Sequence, residues 1–274
     1  MGTDTGNELR TTPLHTWHKA AGANMADFGG YEMPLWYPAG TRQEHLAVLT
    51  AAGLFDTCHM ASLKVEGRDA LALLQHCFTR DIAGLQDGRC VYGAFLNEEG
   101  HCLDDALVYR YGAGDFGVVV NAGMGPVIAA WLGRHAAGRE VELRDLSGAL
   151  GKIDIQGPAA ARILAPLLED ASVLSDMVYF SFKGRPDDDS TVRLKTGEPL
   201  LLSRSGYTGE FGFEIFLAPE ATPGLWQALL ETGRELGLLP CGLAARDSLR
   251  AGAVLPLSHQ DIGGWKFLGH PWPF

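Results

Sequence analysis

The chain has 274 residues, 46% hydrophobic and 20% charged, a globular balance with material for one large domain or two ordinary ones. Its 22 basic and 33 acidic side chains leave a formal charge of −11, which argues against attraction to nucleic acid or an anionic membrane; an anionic ligand would need locally clustered arginine. No apolar run approaches a membrane span, the N-terminus lacks a signal pattern, and five cysteines without a C-x-x-C pair point to reduced thiols, so a cytoplasmic location is expected.

Residues 1–12 are polar and expected to be disordered. Helical spacing covers 41–52, with Thr41 as N-cap and Glu44 three residues on, and it ends before Gly53. A strand is predicted at 61–66 and a helix at 68–78, with Leu71, Leu74 and Phe78 on one stripe. Residues 91–97 and 103–110 read as a hairpin around Glu98-Glu99-Gly100. A buried strand follows at 116–121, then a helix at 126–137 with Pro126 in its first turn.

A short internal echo comes next. Lys64-Val65-Glu66-Gly67-Arg68-Asp69-Ala70 is similar to Asp154-Ile155-Gln156-Gly157-Pro158-Ala159-Ala160: a strand ends at glycine and an alanine-rich helix begins. Each copy precedes a hairpin whose second strand carries acid, Asp104 and Asp105 in one case and Glu214 in the other. Two related α+β halves facing each other are therefore expected. Pro186-Asp187-Asp188-Asp189-Ser190 reads as a solvated loop, because its acids lack the alternate spacing of a calcium loop.

Three segments carry candidate chemistry. In 203–214, Gly206, Gly209 and Gly212 allow tight turning and close approach, gathering Tyr207, Glu210, Glu214 and Arg204 around one small volume. In 103–109, strand alternation puts Asp105, Leu107 and Tyr109 on one side and Asp104, Ala106 and Val108 on the other. At least one of the paired acids must find a local partner or a shifted pKa. A helix from Gly242 carries Arg246 and Arg250 four residues apart, suited either to a planar acceptor or to a salt-bridge ladder through Asp247. Gly123-Met124-Gly125 lacks the third glycine of a dinucleotide fingerprint, and His15 and His18 lack a third ligand, so no metal is expected.

These pieces resemble the aminomethyltransferase (T-protein) family of the glycine cleavage system. The resemblance rests on Thr12-Pro13-Leu14-His15, Asp27-Phe28-Gly29-Gly30, Glu32-Met33-Pro34-Leu35, Glu44-His45, Ala52 to Asp56 with His59-Met60, Leu103-Asp104-Asp105, Val120-Asn121, Gln156-Gly157-Pro158, Ser203 to Glu214 and Gly242 to Arg250. They run colinearly over about residues 12–262. The resemblance implies an α+β fold of two interleaved folate-binding halves, with mostly antiparallel sheets around a central cavity. Residues 1–55 with 150–258 would form a discontinuous first domain and 56–149 an inserted second one. Residues 259–274 would begin a C-terminal β-barrel domain that is otherwise lacking, and the aromatic end with Trp265, Phe267, Trp272 and Phe274 is unusual without a partner, so either that domain is absent or another subunit covers the patch.

The implied activity is transfer of a one-carbon unit to tetrahydrofolate, the acceptor substrate. In the family's T-protein, aminomethyl on the lipoyl arm of H-protein becomes methylenetetrahydrofolate and ammonia. Carried over by position, the key aspartate is Asp105, and the folate contacts are Tyr92, Tyr109, Asn121, Tyr207, Glu214 and Arg246. Glu214 would accept the paired N–H donors of the pterin edge, and Asp105 would hold the folate nitrogen or take its proton. The chain departs from the family at Phe211, Gly100-His101, Gly252 and Ser258-His259, mainly on the donor side. A folate-dependent demethylase of a small S-, N- or O-methyl compound and a non-catalytic folate-binding protein therefore stay open beside the transferase. The Lys-Gly-Cys-Tyr-type motif of the non-catalytic relatives is absent, which favours an enzyme.

Overall fold

Alternation of apolar and polar residues dictates two sheets, each with one face for helices and one for the other sheet. The computed structural model describes residues 8–187 and 189–263. The C-terminal aromatics, most of the expected third-domain start, residues 1–7 and Asp188 lie outside the described residues. In chain order come α1 (His15–Ala20), β1 (Asn24–Phe28), β2 (Tyr31–Trp36), α2 (Thr41–Thr50), β3 (Ala52–Asp56), β4 (Ala61–Glu66), α3 (Ala70–Cys77), β5 (Arg89–Leu96), β6 (Cys102–Gly112) and β7 (Asp115–Val120). Then follow α4 (Gly125–His135), β8 (Glu142–Asp145), β9 (Gly151–Gln156), α5 (Ala160–Leu164), β10 (Phe182–Gly184), β11 (Leu201–Ser203), β12 (Gly212–Leu217), α6 (Thr222–Gly233), β13 (Leu238–Pro240) and α7 (Leu243–Gly252).

One sheet has the order β10-β11-β12-β9-β3-β13 and the other β5-β6-β7-β4-β8, with β1-β2 a separate ribbon. All pairings are antiparallel except β13 with β3. This is the expected α+β class, and no barrel occurs among the described residues. Ile153, Ile155, Phe213 and Ile215 pack with Ile163 and Trp226 of α5 and α6. Leu63, Val65, Val108 and Val118 pack with Leu73, Leu74, Ile128 and Leu132 of α3 and α4. A third cluster, which includes Tyr109, Val119, Phe182, Leu201 and Phe216, joins side chains from both sheets. Helices thus cover the outer faces and the inner faces meet.

The sequence echo is also an echo in backbone. Gly67 and Gly157 end β4 and β9 with φ of 130° and 125°, and α3 and α5 begin three residues later. A Cβ at Gly67 would lie 2.2 Å from the Glu140 carbonyl oxygen, and one at Gly157 2.6 Å from that of Val48. Only glycine meets both demands. Two details differ from expectation. Thr41 is not the cap of α2, since Gly40 holds that position and no side chain caps it. Glu44 instead turns inward, buried, and accepts from the backbone N–H groups of Tyr37 (2.6 Å) and Gly242 (2.8 Å). The buried stripe of α3 is Ala70, Leu73, Leu74 and Cys77.

A buried polar chain ties the N-terminal segment to the end of β3. Asp56 accepts from Thr12 Oγ1 (2.6 Å) and the Cys58 N–H (2.9 Å) and bonds His18 Nε2 (2.9 Å), while His18 Nδ1 meets the Tyr37 hydroxyl (2.8 Å). Burial alone would raise the Asp56 pKa, but His18, Thr12 and the Cys58 N–H together hold it below the usual carboxylate value. A carboxyl held low stabilises the fold above its unfolded pKa, and the contribution is lost as pH falls through the folded value. Asp56→Ala is therefore expected to cost about 3 kcal/mol at pH 7. The gap from wild type in urea denaturation should close only in acid below about pH 4.

Candidate functional site

The inner faces bring acids from both sheets to one hollow. On β6, Val108 points to the helix-side core while Tyr109 joins the inter-sheet cluster, as the period of two requires. Asp105 and Leu107 share the Tyr109 side and line a cavity of about 510 Å³. On β12 the same logic sends Phe213 and Ile215 outward and Glu214 and Phe216 inward. Glu214 lines the same cavity, together with Tyr92, Asn121, Lys152, Tyr207 and Arg246. The volume is that of a pocket for a drug-sized organic molecule.

At one end, Asp105 accepts from the Tyr92 hydroxyl (2.7 Å) and from Asn121 Nδ2 (2.6 Å), and its backbone N–H donates to Ser258 Oγ (3.3 Å). Asp104, fully buried on the opposite face, accepts from the backbone N–H (2.9 Å) and Nδ2 (2.8 Å) of Asn121. One asparagine therefore bridges the two acids. Burial pushes the Asp105 pKa up to about 6, and the Asp104 charge adds to this against the Tyr92 and Asn121 hydrogen bonds. Burial also raises Asp104. A carboxyl that titrates near neutrality suits proton transfer at physiological pH.

At the other end, Glu214 is held by three donors. Lys152 Nζ reaches its Oε1, Ser205 Oγ its Oε2, and the Tyr109 hydroxyl approaches Oε2 at a long 3.4 Å. Two lone pairs per oxygen and one short donor on each leave room for a further pair of parallel N–H donors. Lys152 also donates to Asp154 Oδ1 (2.6 Å) and Thr57 Oγ1 (3.1 Å). Burial would lower its pKa, but Asp154 and Glu214 outweigh this and raise it. Arg246 Nη2 stands 3.6 Å from Asp154 Oδ2, and the guanidinium lies 4.7 Å from the centre of the Tyr207 ring. The Tyr207 hydroxyl donates to the Pro256 carbonyl.

Six of the seven expected site residues thus line one cavity. Tyr109 does not: it is buried behind Glu214 and lines a second cavity of about 240 Å³ between the sheets. The 203–214 run gathers fewer groups than expected, since Arg204 stacks 4.1 Å from the Phe211 ring centre and neither it nor Glu210 lines the cavity. Close approach explains Gly206, where a Cβ would lie 2.1 Å from Gln156 Oε1, and positive φ explains Gly209. Arg250 belongs to the ion-pair reading, bonding Asp247 and Asp261. His15 pairs with Glu32 and His18 with Asp56, and no group of three or more metal-binding side chains occurs among the described residues. Lys152 and Asp154 were not anticipated. The signal was Gly151-Lys152-Ile153-Asp154-Ile155-Gln156, whose alternation places both charges on the inner face of β9.

This fold and this cavity define a class. Residues 14–265 match the family described as the GCVT N-terminal domain, and the chain belongs to that family. The aminomethyltransferase of Desulfitobacterium hafniense is 43% identical over 256 residues, covering 93% of this chain and 67% of that protein. That of Streptomyces coelicolor is 43% identical over 255 residues, covering 93% and 66%. The crystal structure of glycine cleavage system aminomethyltransferase T from Bartonella henselae superimposes with a TM-score of 0.79 at 37% identity, over 91% of this chain and 64% of that one. The chain therefore spans about two thirds of the length of these relatives. A heterotetrameric sarcosine oxidase from Corynebacterium sp. U-96 shares the fold (TM-score 0.54, 17% identity, 83% of this chain and 96% of that one). No helix among the described residues is long and apolar enough to cross a membrane.

The raised Asp105 pKa has a definite linkage sign. A group whose folded pKa lies above its unfolded value stabilises the fold at low pH and loses that contribution as pH rises through the folded pKa. Asp105→Asn keeps the shape and removes the buried charge. At pH 8 the variant is expected to be more stable than wild type by up to about 3 kcal/mol, from roughly 1.4 kcal/mol per pKa unit. The gain should fade between pH 6 and pH 4 in paired thermal melts.

Proposed function

We propose that the protein transfers a one-carbon group to tetrahydrofolate, with aminomethyl as the group most in keeping with its named relatives. The observation that carries this is the shared hollow: Asp105 from one sheet and Glu214 from the other line one cavity of pocket size. The six-stranded and five-stranded sheets would then be the cores of the two folate-binding domains, 1–55 with 150–258 and 56–149.

The residues fit such a substrate. Glu214 Oε1 has one short donor, Lys152, and Oε2 has one short donor, Ser205, with the Tyr109 hydroxyl at a long 3.4 Å that a ligand can displace, so the carboxylate can take the two adjacent N–H groups on the aminopyrimidinone edge of a pterin. Tyr92 and Tyr207 offer flat contact to its rings. Arg80 and Arg89, lining the same cavity, supply positive charge for the carboxylates of the glutamate tail, the local cation cluster that the acidic composition called for. Asp105, fixed by Tyr92 and Asn121, would hold the folate nitrogen as nucleophile or take its proton as the one-carbon unit arrives. Asn121 and Arg246 act on either side, one orienting Asp105 and the other balancing Asp154.

The donor on this reading is the aminomethylated lipoyl arm of an H-protein, and the products are methylenetetrahydrofolate and ammonia. Tetrahydrofolate is expected to raise the melting temperature by mass action. Glu214→Ala should weaken that binding by about tenfold or more, since it removes a charge-assisted pair. Asp105→Asn should bind tetrahydrofolate nearly as well yet lose about a hundredfold or more in turnover, as loss of acid–base help does. Ammonia release from an aminomethylated lipoyl protein is the assay. Turnover with a small methylated donor and none with the lipoyl protein would replace this reading by the demethylase. Wild-type activity in Asp105→Asn would remove Asp105 from its role.

A further inference from the structure

The register of the six-stranded sheet sets Glu214 directly opposite Asp154 in the β12/β9 ladder. Like charges at that spacing repel, and both carboxylates are buried, at 4% and 1% exposure. Lys152 answers both. Its ammonium uses its three N–H groups on Glu214, Asp154 and Thr57. It has no proton left for a ligand, so what it adds to the cavity wall is charge rather than a hydrogen bond.

Counting charges at this end gives two cations, Lys152 and Arg246, against two anions, Asp154 and Glu214. The other titratable groups nearby do not disturb the balance. Asp56 does not line this cavity, its carboxylate being taken up by Thr12, His18 and the Cys58 N–H. Burial drives the His59 pKa down to about 4, so that ring is neutral at pH 7. A carboxylate standing alone would favour a protonated, cationic ligand head. One already paired makes such a cation an uncompensated buried charge, and a neutral head with two N–H donors leaves the balance intact.

We infer that Lys152 is a specificity-determining residue, whose ion pair with Glu214 makes this end of the cavity accept a neutral 2-amino-4-oxo pterin head and reject a protonated 2,4-diamino one. The inference rests on reading the cavity as a folate site. A purely structural role for Lys152 would instead weaken both heads alike when the residue is changed.

Folic acid and aminopterin differ only in the 4-oxo or 4-amino group, so their affinity ratio at one fixed pH isolates the effect. Isothermal titration of the full chain with each, and with tetrahydrofolate, is the experiment. Wild type is expected to prefer folic acid. Lys152→Met, which leaves the site one charge negative, should shift the ratio toward aminopterin by about tenfold or more. Asp154→Asn, which leaves it one charge positive, should shift the ratio the other way. The double variant restores the balance and should bring the ratio back toward that of wild type, the non-additivity expected of two residues in contact. If Lys152→Met does not fold, as judged by circular dichroism, Asp154→Asn and the double variant carry the same test. Ratios unchanged in these variants overturn the inference while leaving the folate site standing. Failure of the wild type to bind tetrahydrofolate and folic acid refutes the folate reading, and the inference with it.

Discussion

Two carboxylates, Asp154 and Glu214, stand opposite each other on neighbouring strands and out of contact with bulk water. That juxtaposition constrains everything around it. A buried anion pair persists only with cations close by: Lys152 from the same strand as Asp154 is hydrogen-bonded to both acids, and Arg246 from α7 stands at ion-pair distance from Asp154. Helix α7 is in turn seated by the Gly242 N–H on buried Glu44, so the ion cluster, the helix and the start of α2 form one connected piece. Such clusters are poor evidence for extra stability, since apolar replacements often do as well. They do fix where charge and hydrogen-bonding capacity are presented.

The two ends of the cavity differ in kind. Around Glu214 the partners are charged and balanced, so the carboxylate is pinned and its free lone pairs face one place. Around Asp105 the partners are a phenol and an amide, and no cation among the described residues pairs with it, so the acid is poised to gain or lose a proton near neutrality. A site that must grip one edge of a ligand and exchange a proton at another calls for this division. The sheets supply it through alternation: neither acid could face the hollow if its strand slipped by one residue.

Much of this was readable from the sequence because strands keep a strict period. The alternation in 103–109 placed Asp105 and Tyr109 on one side of β6, and the echo at Gly67 and Gly157 matched a shared backbone turn. Arg246 and Arg250 were correctly set on one helix, but not which of them turned to the site, because that depends on where α7 meets β9. Tyr109 was placed among the ligand contacts, whereas the stacking of the sheets puts its ring behind Glu214. The Thr41 cap failed because two backbone donors distant in sequence draw Glu44 inward. Lys152 and Asp154 carry no site signal in the sequence beyond their alternation, since a charged strand is usually an edge facing water, and only the sheet order shows β9 lying between β12 and β3.

The central claim is that Asp105 and Glu214 serve one and the same ligand. The most direct measurement is a crystal structure of this chain with tetrahydrofolate. The expected result is the pterin edge on the Glu214 carboxylate and the reactive nitrogens beside Asp105. Density in the smaller cavity behind Tyr109, or contact with only one of the two acids, would contradict it.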